Sequence, residues 1–300
     1  MTTSKLIAIP ALLAACCFLI RAEENKLSDI LIDGEGWQVV YEGDAKSFTD
    51  AACSDADGNV YFSDMSKGIL YKISAASGKA EPFIENAPKI SGMKWAPDGR
   101  LICCQSGQKR MVAFDKDKKL AVLAENVGVN DVIVSKSGNI YFTGSGNQIM
   151  RIDPKGQVAP AAKDLGSPNG ISLSPDQKTL ATSDYRGVNV FTLKVADDGS
   201  LSDKTAAMTM KAPPPPEGKT ASSGGDGMTT DSAGRYYVTS NLGIQVFDAT
   251  GAALGIIERP QNKGAVNVAF GGLDMSVLFV CNSDKVFKRK TKAKGMVFYK

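Results

Sequence analysis

The chain has 300 residues, 43% of them hydrophobic, and a formal net charge of +3. That is enough apolar material for a large core in one or two domains, and too little charge to argue for nucleic acid. No basic stripe with interleaved aromatics is present. The absence of histidine excludes His-based triads and imidazole metal sites.

The first 22 residues read as a secretory signal. Lys5 supplies the positive start, and Leu6 to Ile20 is an apolar run of signal length, too short to favour a membrane span. Cleavage after Ala22 would lower the net charge from +3 to +1, by loss of Lys5 and Arg21. The alternative is a lipid anchor at Cys16, in the lipobox-like Leu13-Ala14-Ala15-Cys16. Either reading makes the chain an exported one, periplasmic or secreted, with residues 23–300 as a single domain.

Trp37 to Glu42 is the first strand-like stretch. After it one pattern recurs six times: an oxygen-bearing residue, an apolar run, a polar turn eight residues on, and a second apolar run. Asp50 opens DAACSDADGNVYFS, Ser91 opens SGMKWAPDGRLICC, and Asn130 opens NDVIVSKSGNIYFT. Asn169 opens NGISLSPDQKTLATS, Asp226 opens DGMTTDSAGRYYVT, and Asn267 opens NVAFGGLDMSVLFVC. Each reads as two antiparallel strands about a tight turn. The turns fall at 58, 99, 138, 177, 234 and 275, so four of the five spacings are 39 to 41 residues.

A period near 40 with strand and turn content, and no sustained helical periodicity, predicts an all-β, six-bladed β-propeller with four-stranded blades. In the third unit the strands are expected at 131–135, 139–143, 148–152 and 157–161. The one long spacing holds insertions at 197–202 and 212–225; the second contains Pro213 to Pro216, which cannot enter a sheet interior. It is either a plain surface loop or a rim beside the pocket. Trp37 to Glu42 and Lys285 to Lys300 are expected to close the ring, the lysines marking a solvated outer edge. Cys53, Cys103, Cys104 and Cys281 lie in predicted strands without CxxC spacing, which suits small buried side chains better than zinc. A disulfide such as Cys53–Cys103 stays open.

Inner strands of a propeller run the same way, so Asp50, Ser91, Asn130, Asn169, Asp226 and Asn267 are expected to ring one mouth of the channel. An oxygen-only set with two carboxylates suits a hard divalent cation, calcium first, with magnesium, manganese and zinc as alternatives. The bland alternative is that such residues merely favour strand starts and turns. Strand alternation points Asp131 away from the channel.

The segments SPNGISLSPDQKTLATSD, GGDGMTTDSAGRYYVTS, NDVIVSKSGNIYFTG and VNVAFGGLDMSVLFVC resemble the SMP-30/gluconolactonase/luciferin-regenerating-like family, over about residues 40 to 295. The resemblance implies a six-bladed propeller with calcium or a similar ion in its channel, hydrolysing lactones or, in some members, phosphoester-like substrates. It implies metal ligation by Asp50, Asn169 and Asp226, with Asp226 also the general base, and Asn130 near both metal and substrate. This chain departs from the family pattern in four places. Asp50 stands for a longer Glu. Gln105 and Ser106 stand where a histidine is frequent, leaving Gln105 as a substrate-binding candidate. Val127-Gly128-Val129 lacks the sugar-binding arginine before Asn130. The loop 144–147 is short. Two further readings stay open: a metal-containing binding propeller without catalysis, and a purely structural propeller without metal.

Overall fold

The computed structural model describes residues 26–299. Six four-stranded antiparallel sheets make up the fold, with almost no helix. Their inner strands are Thr49–Ser54, Ile90–Trp95, Val132–Val134, Pro168–Leu173, Met228–Thr230 and Ala265–Gly271. We number the blades 1 to 6 in that order. Each of these strands heads a sheet of consecutive strands, except in blade 6. There the outermost strand is Gln38–Glu42, paired with Lys285–Lys290. The chain's two ends thus share one sheet, which closes the ring without leaving an unpaired terminal blade.

The third unit matches expectation closely: its strands are Val132–Val134, Ile140–Phe142, Ile149–Ile152 and Val158–Ala162. The C-terminal stretch differs. Only Lys285–Lys290 is a strand, and Gln38–Glu42 covers it. Its basic residues are therefore partly engaged rather than free: Lys285 pairs with Glu42 at 2.6 Å, and Arg289 lies 5.4 Å from the Trp37 ring centroid.

Apolar faces pack from blade to blade. Between blades 1 and 2, Tyr61, Leu70, Met93, Cys103 and Val112 are all buried in one cluster, with Tyr61 edge-on to Trp95 at 5.3 Å. All four described cysteines are free and buried in such packing. Among the described residues no helix is long and apolar enough to cross a membrane.

Beyond Lys290 the chain crosses the end of the channel where the inner strands finish, here called the lower mouth. Ser232 N donates to Lys294 O (2.8 Å), Gly295 N to Met275 O (2.8 Å) and Gln177 Nε2 to Phe298 O (2.5 Å). Phe298 is buried with Ile133, Ile171 and Leu173. The segment plugs this mouth. A chain ending at Gly295 is expected to lose about 3 kcal/mol or more, from exposure of the Phe298 and Met296 sites. Urea unfolding monitored by tryptophan fluorescence checks this, and an unchanged midpoint would contradict it.

Candidate functional site

At the upper mouth each inner strand is kinked by a bulge, where two residues face one on the neighbouring strand. Asn130 N donates to Thr143 O (2.8 Å) while Thr143 N donates to Asp131 O (3.0 Å). In blade 5, Asp226 N donates to Thr239 O (2.9 Å) and Thr239 N to Gly227 O (3.0 Å). Comparable register shifts interrupt blades 1, 2, 4 and 6. A bulge re-aims consecutive side chains to one side. The second bulge position is glycine in blades 2, 4 and 5 because neighbours crowd it. A Cβ on Gly227 would fall 2.5 Å from the Asn267 side chain, and one on Gly170 2.3 Å from Asp226 O.

The bulges bring five of the six expected ring residues into one polar network. Asn130 Nδ2 donates to Asn169 Oδ1 (2.6 Å), and Asn169 in turn hydrogen-bonds the Asp226 carboxylate. Asp226 feels the charge of Asp50, and Asn267 Nδ2 donates to Asp50 Oδ1 (3.2 Å). Ser91 is the exception. Its hydroxyl donates to Asn130 O (2.8 Å) and serves the frame. Gln105 is buried at the end of its strand, with Oε1 accepting from Arg110 Nε at 2.6 Å.

Asp131 does not point away. It is 2% exposed, and its charge acts on both Asp50 and Asp226. Strand alternation fails there because the bulge turns Asn130 and Asp131 to the same side. Its Oδ1 accepts from Val132 N (3.0 Å).

A repeated hydroxyl tie holds the ring in place. Ser63 Oγ donates to Ile90 O (2.6 Å), Thr143 Oγ1 to Asn169 O (2.5 Å), Ser183 Oγ to Asp226 O (2.8 Å) and Thr239 Oγ1 to Val266 O (3.0 Å). Cys281 Sγ approaches Asp50 O at 3.6 Å. In blade 2, where Cys104 occupies the equivalent place, Ser91 makes the tie. Every blade thus fastens the next blade's mouth. These residues were missed in the sequence, although Ser, Thr or Cys stands five or six residues after every turn position.

Carboxylates packed this way are costly to ionise together. Burial lifts Asp131 to about 6, against the opposing charge of Lys94. Burial also raises Asp50, and the charge of Asp131 adds to the effect. Asp226 rises by burial and then by the charges of Asp50 and Asp131. Among the described residues no three His, Cys, Asp or Glu side chains converge on one metal position. The donors that do converge are Asp50 and Asp226 with the amides of Asn130 and Asn169. Two repelling carboxylates among amide oxygens fit a hard divalent cation.

The raised values have a stability consequence. Below about pH 4 these groups are protonated in both folded and unfolded chains and contribute nothing. Above it the unfolded chain ionises first, so the metal-free fold loses stability as pH rises through 6. Asp131 alone accounts for on the order of 3 kcal/mol of that loss. In chelator, the melting-temperature gap between D131N and wild type should therefore widen in favour of D131N from pH 4 to 7. A constant gap would refute the assignment.

The family model described as SMP-30/Gluconolactonase/LRE-like region matches residues 48–284. A gluconolactonase of Zymomonas mobilis is 27% identical over 247 residues, covering 73% of this chain and 68% of that protein. The lactonohydrolase oryH of Aspergillus oryzae is 28% identical over 66% of this chain, which spans only 43% of that protein. Among solved structures, a gluconolactonase from Xanthomonas campestris superposes with a TM-score of 0.74 at 22% identity, covering 88% of this chain and 92% of that one. The calcium-binding protein regucalcin from Agrobacterium tumefaciens superposes at 0.71 and 19% identity, covering 89% and 98%.

Proposed function

Because this chain belongs to the SMP-30/gluconolactonase/LRE-like family, we propose that it is a metal-dependent hydrolase that opens a lactone ring or related ester. The observation that carries this reading is the convergence of Asp50, Asn130, Asn169 and Asp226 from four blades on one mouth of a channel plugged at the other. The lactonases among its relatives support the reaction, and the calcium-binding fold neighbour supports the ion.

Asp50, Asn169, Asp226 and Asn130 would hold the ion, calcium first. When bound, it supplies Lewis acidity toward a lactone carbonyl and a place for the attacking water. Asp226 accepts that water's proton as general base. Asn130 orients the substrate oxygen, a donor at the developing oxyanion being worth about 3 kcal/mol. Ser183 and Thr239 fix the Asp226 main chain, so the base does not drift.

The test is hydrolysis of an aldonolactone followed by pH-stat. Turnover should vanish after exhaustive chelation and return with calcium; turnover indifferent to chelator would overturn the metal-dependent reading. A second reading, an ion-containing binding propeller without catalysis, is favoured by one feature. The short loop 144–147 packs down on the strand entry, Ser145 Oγ donating to Gly128 O at 2.6 Å. Calcium binding without hydrolysis of aldonolactones, aliphatic lactones or phosphotriesters would select it.

Export belongs to the same proposal. Residues 1–22, including Cys16, lie outside the described residues, and their signal character rests on the sequence. Mass spectrometry of the exported chain should find Glu23 at its start; an acylated Cys16 would instead establish the lipid anchor.

A further inference from the structure

The channel contains a lysine that this chemistry does not use. Lys94 lies on the inner strand of blade 2, two residues after Gly92 and so on the same face of that strand. Asp131 crowds Gly92: a Cβ there would fall 2.7 Å from Asp131 Cα and 2.8 Å from Oδ1. Lys94 Nζ reaches the opposite way, to Ala52 O of blade 1 at 3.0 Å, two residues below Asp50. Under it lies a cavity of about 30 Å³, closed by Met296, Phe298 and Tyr299 and large enough for one water. The ammonium is thus held inside the channel, beneath the carboxylates and above the plug.

Asp50, Asp131 and Asp226 bring three negative charges to the channel and Lys94 one positive charge. The balance of two matches one divalent ion. We propose that Lys94 is a built-in cation inside the channel that offsets one of the three carboxylates of Asp50, Asp131 and Asp226, which limits the site to a single divalent ion. Two of the three negative charges are then left to the exchangeable ion, while the third is answered permanently by the protein. The inference rests on the metal reading for its stoichiometry, but the placement of the Lys94 ammonium inside the channel does not.

Calorimetric titration with calcium alone tests the stoichiometry. Wild type should bind one ion. Lys94→Met removes a like charge and should tighten binding at least tenfold, or admit a second ion; Asp131→Asn should weaken it at least tenfold. The double variant should return to within about threefold of wild type. Single variants that shift affinity the same way, or a Lys94→Met affinity within twofold of wild type, would overturn the proposal. Unfolding in chelator tests the charge offset without metal: the two substitutions should be coupled by at least tenfold in the unfolding constant, and additive effects would overturn it. A wild-type chain that binds no calcium sinks the lactonase reading and the one-ion limit, leaving that cycle to decide whether Lys94 offsets the channel's carboxylates.

Discussion

Asp226→Asn is expected to lower lactone turnover by on the order of 10³-fold or more while raising the stability of the metal-free protein. The first effect has two sources: the general base is lost, and one of two carboxylates is withdrawn from the divalent ion. General-base loss alone costs about 10²–10⁴-fold. The second effect follows from burial. Asp226 stands where its charge meets those of Asp50 and Asp131, and burial raises its proton affinity well above that of an exposed carboxyl. An amide of the same shape removes that repulsion. The frame should survive, because besides its carboxylate's bond to Asn169 residue 226 is held by main-chain contacts, its N–H to Thr239 O and its carbonyl to Ser183 Oγ. Kinetics, circular dichroism and a thermal melt in chelator measure all three. Retained turnover would end the assignment of Asp226 as base. A lower metal-free melting temperature would instead mean that the carboxylate holds the fold together.

A trade of stability for function is what a buried acidic cluster predicts, and it bears on what could be read from the sequence. The six-fold repeat was legible because each blade repeats a turn whose φ is positive, at Gly58, Gly99, Gly138, Gln177, Gly234 and Met275. Those turns fix the offset of eight, which located Asp50, Asn130, Asn169, Asp226 and Asn267. Asp131 was misplaced because period-two alternation has no provision for a bulge, and a bulge leaves little trace in one strand's residues. The glycines at 92, 170 and 227 were that trace, since Asp131 occupies the place they hold elsewhere. Ser91 shared the offset yet serves the frame, because Cys104 stands where blades 1, 3, 4 and 5 carry a hydroxyl. The lower plug was not legible: Ala293 to Tyr299 has no strand pattern, and its role comes from meeting residues of several blades.

Gly170→Ala is expected to cost about 3 kcal/mol and most of the activity, although glycine and alanine differ by one methyl. Gly170 does not have a positive φ, so backbone strain is not the cause. The added Cβ would lie 2.3 Å from Asp226 O and 2.9 Å from both the carbonyl carbon and Cα of Gly227. These are main-chain atoms and cannot swing aside as a flexible side chain would. Blades 4 and 5 must separate, at a cost typical of overpacking, about 1–3 kcal/mol or more. The separation pulls Asp226 O from Ser183 Oγ, and with it the proposed base from its position. Gly99→Ala is the matching control. Its φ is +82° but nothing lies within 4 Å of the new methyl, so only conformational strain of about 1 kcal/mol is expected there. Melting temperature and turnover of both variants separate the two causes. Gly170→Ala should melt ~6 °C or more below wild type and lose turnover, while Gly99→Ala should lose a few degrees at most and keep its activity. If the control were the worse of the two, close approach between blades would not be what fixes the mouth of this channel.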